Sequence, residues 1–483
     1  MLRSYDRIYV GGRWVPSTGT DTIEVVSPRT EDVVATVPHA GAGDVDAAVA
    51  AARAAFDRGP WPRLTPAERV ERLRPFAERY AERTDELAAL VTEEIGSTIT
   101  FSQLAQSLAP SMMIGSFLDL AAQHPWEERR PTVMGGTSLV RRLPVGVVAA
   151  VVPWNVPQVV TVAKLVPALL AGCSVVVKPS PESPLDAFFL AELLDAADLP
   201  EGVVSVLPAG REVGEHLVCH PGVDKVAFTG STAAGRRIAE LCGARLKRVS
   251  LELGGKSAAI VLDDADAGKT AEGLRFASFM NTGQACAAQT RILAPRHRLD
   301  EVVDAVAAMA DDLVIGDPRD AATEIGPLVA RRQQERVTGY IELGVAEGAR
   351  VVTGGPGLPD EVDRGWYVRP TVFTDVDNAM RIAREEIFGP VLCVIPYDDE
   401  DDAVALANDS EFGLAGSVWT SDPERGLAVA GRVRTGTTGV NHYAADFGSP
   451  FGGFKASGIG REYGPEGLDE YVELQAISLL PDG

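Results

Sequence analysis

Cysteine is scarce in this chain. Five occur in 483 residues, at Cys173, Cys219, Cys242, Cys286 and Cys393. Their number is odd, their spacing wide, and no Cys-x-x-Cys pair occurs. That argues against a disulfide framework or a structural zinc site, and it suits a reducing compartment. Long apolar runs are missing too. The longest stretches, such as 145–152, fall far short of the ~20 residues that a spanning helix needs. The start of the chain, Met1-Leu2-Arg3-Ser4-Tyr5-Asp6-Arg7, carries no apolar core of a secretory signal. The expectation is a cytoplasmic protein with no membrane partner. Basic charge is in deficit: 45 Lys and Arg stand against 68 Asp and Glu, a net charge of −23. Such a balance argues against nucleic acid as a partner. What remains is ordinary globular material, 46% hydrophobic and 23% charged, with length for two or three domains.

From 5 to 37 the chain reads as short strands and turns: Ile8-Tyr9-Val10, then Gly11-Gly12, then Arg13-Trp14-Val15. A helix is expected from near Asp44 towards Phe56. Thr65, Pro66 and Glu68 supply an N-cap hydroxyl, a first-turn proline and a capping-box acid. Val70, Leu73, Phe76 and Tyr80 then recur at helical spacing, and the helical region extends to about Ile95, where Gly96 offers a stop. From about 139 the texture changes. Runs at 143–152, 172–178, 203–207 and 225–229 are rich in valine, with helical stretches between them. Near-continuous apolar strands alternating with helices predict a parallel, Rossmann-like sheet covered on both faces. Such a sheet binds ligands at the carboxyl ends of its strands. A second α/β region runs from about 257 to 456, with strands expected at 258–262 and 391–395. The tail, 471–479, alternates like a strand and could add to another subunit's sheet.

Several short segments carry chemistry, and each has a plainer alternative. Cys286 ends Asn281-Thr282-Gly283-Gln284-Ala285-Cys286, a small, polar segment. Upstream, Leu251-Glu252-Leu253-Gly254-Gly255-Lys256 wedges a carboxylate between apolar residues. A thiol nucleophile and a base could run covalent chemistry on a carbonyl, whereas a lone cysteine is by default a small core residue. Phe228-Thr229-Gly230-Ser231-Thr232-Ala233-Ala234-Gly235 follows a strand and opens a helix, where backbone N–H groups can meet a phosphate. It is not G-x-G-x-x-G, and a simple capped helix start reads the same way. Asn155, in Pro153-Trp154-Asn155, could donate to an oxyanion or close an Asx turn. Lys178-Pro179-Ser180 could reach a ribose or a phosphate, or be a solvated loop. Glu385-Glu386-Ile387-Phe388-Gly389-Pro390 could hold a ligand hydroxyl or end a helix.

The order of these segments resembles that of the aldehyde dehydrogenase superfamily, as does Pro450-Phe451-Gly452-Gly453-Phe454-Lys455-x-Ser457-Gly458-x-Gly460-Arg461-Glu462. The resemblance covers nearly the whole chain and points to a non-acylating, homo-oligomeric member, a dimer or tetramer. It implies a Rossmann-like cofactor domain over 1–121 and 145–256, and a catalytic domain over 257–456. A small β oligomerisation element would come from 122–144 and 457–483. By the same resemblance Cys286 is the nucleophile, Glu252 the general base, and Asn155 the oxyanion donor together with the Cys286 N–H. Lys164 and Glu462 form a pair relaying protons to the base. The cofactor is NAD, with NADP possible. It would be held by Trp154, Lys178, Ser180, Gly230, Ser231, Gly235, Leu253, Glu386 and Phe388.

Two departures qualify this picture. NAD-preferring members often carry a glutamate three residues after the lysine, but here that place is Pro181 and the acid is Glu182. Positions often aromatic in enzymes for small aldehydes are Val156 and Ala163. With Val160, Ala285, Ala287, Phe451, Met113 and Phe117, they suggest a wide apolar tunnel for a bulky aliphatic or aromatic aldehyde. Alternatives are a CoA-acylating enzyme, which usually lacks the base at Glu252, a structural protein on the same scaffold, and a cofactor-free thiol hydrolase.

Overall fold

A computed structural model describes residues 2–133 and 135–479. Two sheets organise it. In the first, five parallel strands run in the order Arg248–Glu252, Lys225–Thr229, Val147–Val151, Ser174–Lys178, Val204–Val206. Their valines are buried on both faces, which is why the sequence shows runs rather than alternation. Antiparallel strands close the edges: Ile8–Val10 with Arg13–Val15 on one side, Gly458–Ile459 on the other. The parallel strands start in the middle, at Val147–Val151, build outward one way, then return to lay Lys225–Thr229 on its other side. The crevice at that reversal is where an open α/β sheet binds its ligand.

The second sheet has seven strands, among them Ser257–Val261, Gln289–Pro295, Val391–Tyr397 and Gly416–Trp419. All its pairings are parallel except the antiparallel edge Arg350–Thr353 against Thr371–Thr374. A third, three-stranded sheet joins Glu127–Pro131, Thr137–Pro144 and the tail strand Val472–Leu479, all antiparallel.

The helix starts read from the sequence are present. Thr65 caps Pro66–Glu82 and accepts from the Glu68 N–H, while Glu68 returns the bond to Thr65. Gly96 ends Thr84–Ile95 in a left-handed conformation. A break at Arg83 divides that region into two helices. One expectation needs correction. The run 143–152 is not a single strand: Leu143 and Pro144 end the strand of the third sheet, Gly146 turns at φ 131°, and the buried strand begins at Val147. Nor does 457–483 form one element. Gly458–Ile459 joins the first sheet, Gly464–Asp469 is a helix packed on Pro157–Ala171, and only the last strand joins the third sheet. Met134 and residues 480–483, within the expected oligomerisation element, lie outside the described residues.

Candidate active site

The carboxyl ends of the two central strands of the first sheet open into a cleft of about 490 Å³. Pro153, Trp154, Asn155 and Val156 enter it after one strand, and Thr229, Gly230 and Ser231 after the other. Leu253 and Gly254, just after the Arg248–Glu252 strand, enter the same space, and Cys286, Arg332, Gln333, Arg336, Glu386 and Phe388 face it from the second half of the chain. Ten residues singled out from sequence thus share one wall: Trp154, Asn155, Val156, Val160, Gly230, Ser231, Leu253, Cys286, Glu386 and Phe388.

The loop before Cys286 is bent sharply. Asn281, Thr282 and Gly283 are successively left-handed, at φ 51°, 58° and 73°. Two of the three are not glycine, a costly arrangement of the kind found where function dictates geometry. The turn brings Cys286 to the cleft just ahead of the Gln289–Pro295 strand. Cys286 is half-buried, with one side open to the cleft, yet enough protein surrounds it that burial pushes its thiol up to about 12. The Glu386 and Glu252 carboxylates push the same way, and the Ala287 and Cys286 N–H groups oppose them. Asn155 is buried and donates from Nδ2 to the Gln284 carbonyl at 2.9 Å, which ties the end of the first sheet's central strand to the loop before Cys286.

The glycine pair after Glu252 is explained by close approach. A Cβ on Gly254 would lie 2.4 Å from Glu386 Oε2, and one on Gly255 2.4 Å from the Cys286 carbonyl oxygen. The Gly255 N–H donates to Glu386 Oε1 at 2.9 Å. Burial raises the Glu386 carboxyl above its usual range, opposed by that bond. Arg336 donates to the Glu386 carbonyl and fixes the segment from behind.

Glu252 does not line the cleft. It is buried, and among the described residues neither carboxylate oxygen has a hydrogen-bond partner. Its carboxyl turns towards Gly452, where a Cβ would stand 2.6 Å from Oε1. Burial raises it well above the usual range, and the nearby Glu462 carboxylate adds to this while Lys164 opposes it. Lys164 and Glu462 are ion-paired beside it, and Lys164 Nζ also donates to Thr229 Oγ1 at 2.7 Å.

A second hollow, about 390 Å³, shares Ser231 with the first and continues past Lys178. Ser231 caps the helix Thr232–Gly243 by accepting from the Ala234 N–H. Gly235 lies on that first turn, where a Cβ would fall 2.4 Å from Leu253 Cδ2. Lys178 is buried, and burial lowers its ammonium to about 8, with Glu182 opposing. Ser180 is taken up by Glu182, whose carboxylate also pairs with Arg332 at 2.5 Å. Two adjoining hollows that meet at the N-terminus of a helix suit a dinucleotide.

The apolar set is only partly gathered. Val156 and Val160 line the cleft. Ala285 and Ala287 flank Cys286 in sequence. Met113, Phe117 and Ala163 do not line this cleft; they are buried where helices Ala109–Gln123 and Pro157–Ala171 pack together. Phe451 stacks at a tilt on Tyr463, which also meets Phe447 edge-on. Arg332, Gln333, Arg336, Tyr443 and Tyr463 escaped the sequence reading. The last two lie close enough for the Cys286 charge to be felt, but no local motif marks any of the five.

Residues 14–477 match the model of the aldehyde dehydrogenase family. Geranial dehydrogenase of Castellaniella defragrans is 48% identical over 480 residues, 99% of this chain and 100% of the relative. A crystal structure of a Mycobacterium tuberculosis aldehyde dehydrogenase with NAD+ superposes with a TM-score of 0.97 at 49% identity, covering 100% of this chain and 99% of the other. A mutant aldehyde dehydrogenase C of Pseudomonas syringae, in complex with NAD+ and octanal, gives 0.94 at 42% identity, covering 98% and 96%.

Proposed function

The chain belongs to the aldehyde dehydrogenase family, and we propose that it irreversibly oxidises a bulky aliphatic or aromatic aldehyde to the carboxylic acid with NAD, NADP being a possible second cofactor. The observation that carries this reading is the convergence of Cys286, Asn155 and Glu386 on one cleft. Cys286 releases its proton to water in the cleft, and its Sγ thiolate adds to the carbonyl carbon. The resulting oxyanion is held by Asn155 and the Cys286 N–H. When bound, the nicotinamide cofactor supplies the acceptor for the hydride leaving that carbon. Glu252 deprotonates the water that cleaves the Cys286 thioester, and Lys164 with Glu462 passes the proton onward. Glu386 and Lys178 would hold the two riboses, Gly230 and Ser231 the pyrophosphate, with Ser180, Gly235, Leu253 and Phe388 around them and Trp154 against Phe388.

The test is formation of reduced cofactor with hexanal, benzaldehyde and acetaldehyde, with and without CoA. A kcat/KM greatest for acetaldehyde would overturn the bulky-substrate reading, and a requirement for CoA the hydrolytic one. Geranial, which gives one relative its name, and octanal, bound in another, are both larger than acetaldehyde. Asn155→Ala is expected to lower kcat by roughly 10²- to 10³-fold, with the KM for NAD little changed. A loss confined to KM would remove Asn155 from the oxyanion role.

Glu182 bears on the cofactor. A carboxylate facing the adenosine ribose repels a 2′-phosphate, but here Arg332 and Ser180 engage it. Both cofactors are therefore expected to serve, NAD better. Glu182→Gln should raise the NADP-to-NAD ratio of kcat/KM by roughly threefold to fivefold, the worth of one screened charge pair. Paired kinetics with the two cofactors check this; an unchanged ratio places the discrimination elsewhere.

The assembly belongs to the same reading. Among the described residues the tail strand Val472–Leu479 pairs on one side only and exposes Leu474 and Leu479, which suits strand addition between subunits of a dimer or tetramer. The domain limits expected from sequence, 1–121 with 145–256 against 257–456, stand with it as proposals. Among the described residues no helix is long and apolar enough to cross a membrane.

A further inference from the structure

The segment Ser102–Leu108 inverts the usual pattern of a helix. Three of its four polar residues, Ser102, Gln106 and Ser107, are buried and Gln103 is exposed, while Leu104 and Leu108 are 55% and 47% exposed. It is also wound as a π-helix, closing with an N–H bond from Ala109 to the Leu104 carbonyl. Such turns are rare and cluster at functional sites. Burying an amide and exposing two leucines costs stability, so some other demand holds Gln106 inward.

That demand is visible at its tip. Gln106 Nε2 donates to the backbone carbonyl of Asn155 at 2.8 Å. The same oxygen accepts from Asn281 Nδ2 at 2.9 Å, so both of its lone pairs are occupied. Among the described residues Gln106 Oε1 is buried with no protein partner, so the amide makes its one hydrogen bond there to Asn155. Because the partner is a carbonyl, only the N–H end can face it, which fixes the orientation of the amide. Asn281 belongs to the left-handed turn before Cys286, and Asn155 Nδ2 donates back to Gln284 in that turn. One side-chain N–H of Asn155 is spent on Gln284, and the other is left for the oxyanion.

We propose that Gln106 is a positioning residue for the oxyanion donor: with Asn281 it clamps the Asn155 peptide, and so aims the free N–H of the Asn155 amide at the oxygen of the carbonyl attacked by Cys286. The inference rests on the aldehyde-oxidising reading above. A donor that must act without reorganising gains its effect from being fixed beforehand. The π-turn supplies the amide from a segment that belongs to neither motif.

The experiment compares wild type, Gln106→Leu and Gln106→Glu, using hexanal and NAD across a pH series. Gln106→Leu should lower kcat by roughly tenfold to a hundredfold, less than loss of the donor itself, with the KM for NAD unchanged. In Gln106→Glu only the protonated carboxyl can donate to the Asn155 carbonyl, and burial brings its titration towards neutrality. The ratio of its kcat to that of wild type should therefore rise as the pH falls. Should Gln106→Leu fail to fold, the pH-dependent ratio carries the test alone. A wild-type kcat in Gln106→Leu, or a ratio flat with pH, overturns the proposal while leaving the function intact. No turnover by wild type with any aldehyde would sink the function, and the role of Gln106 with it.

Discussion

Cys286→Ala is expected to abolish aldehyde oxidation, lowering kcat by roughly 10⁴-fold or more, as loss of a covalent nucleophile does. NAD binding and Tm should change little, because an alanine fits where one side of the residue already faces a cleft. The thiol's environment adds a pH signature. Burial and two carboxylates push it up to about 12, so in the free protein almost all of it is protonated at neutral pH. Only the thiolate is nucleophilic. Its alkylation by iodoacetamide should accelerate about tenfold per pH unit up to that range, since each unit multiplies the thiolate fraction by ten. The competing cysteines are poor targets. Cys173, Cys242 and Cys393 are buried, and burial raises all three thiols. Labelling that persists in Cys286→Ala would point to the half-buried Cys219, and oxidation that persists would remove Cys286 from the reaction.

The parts of this molecule legible in sequence are those whose chemistry is local. Ser231 caps its helix because a hydroxyl at a strand-to-helix turn has an N–H within reach. Thr65 and Glu68 close their box for the same reason. The valine runs announce a doubly covered sheet because no alternation is needed when both faces are buried. Where a boundary depends on which sheet a strand joins, local pattern fails. Leu143 and Val147 read alike, yet they lie in different sheets, divided by a turn at Gly146. The site shows the same division. Cys286, Glu252, Asn155 and Glu386 stand in recognisable segments. Gln106, Arg332, Arg336 and Tyr463 reach the site only through tertiary folding. For Gln106 one clue existed: a polar residue flanked by leucines on what becomes the exposed face. Periodicity alone reads that as leucines inward, the reverse of what the structure shows.

Glu252→Gln should lower steady-state kcat by roughly 10²- to 10⁴-fold, the contribution of a positioned base, and the shape of the progress curve tells which proton it moves. If Glu252 serves the water that cleaves the thioester, the variant should produce one equivalent of reduced cofactor per subunit and then stall. If it serves to ionise Cys286, the burst should vanish as well. A variant with full steady turnover would exclude both roles. The raised carboxyl also makes the wild-type rate climb with pH, because the base works only when deprotonated and burial delays that step. Stability runs the other way. The folded protein holds the Glu252 proton more tightly than the unfolded chain does. Below the unfolded pKa both states are protonated and nothing is lost. As pH rises past that value, the unfolded chain releases its proton first and the native state loses ground until its own carboxyl ionises. Glutamine has no such proton to lose. The Tm of Glu252→Gln relative to wild type should therefore rise with pH above the ordinary carboxylate range, a stabilised protein with its chemistry removed. A Tm difference independent of pH would mean that the carboxyl is not held neutral by its surroundings, and that Glu252 reaches solvent more readily than its burial and lack of partners imply.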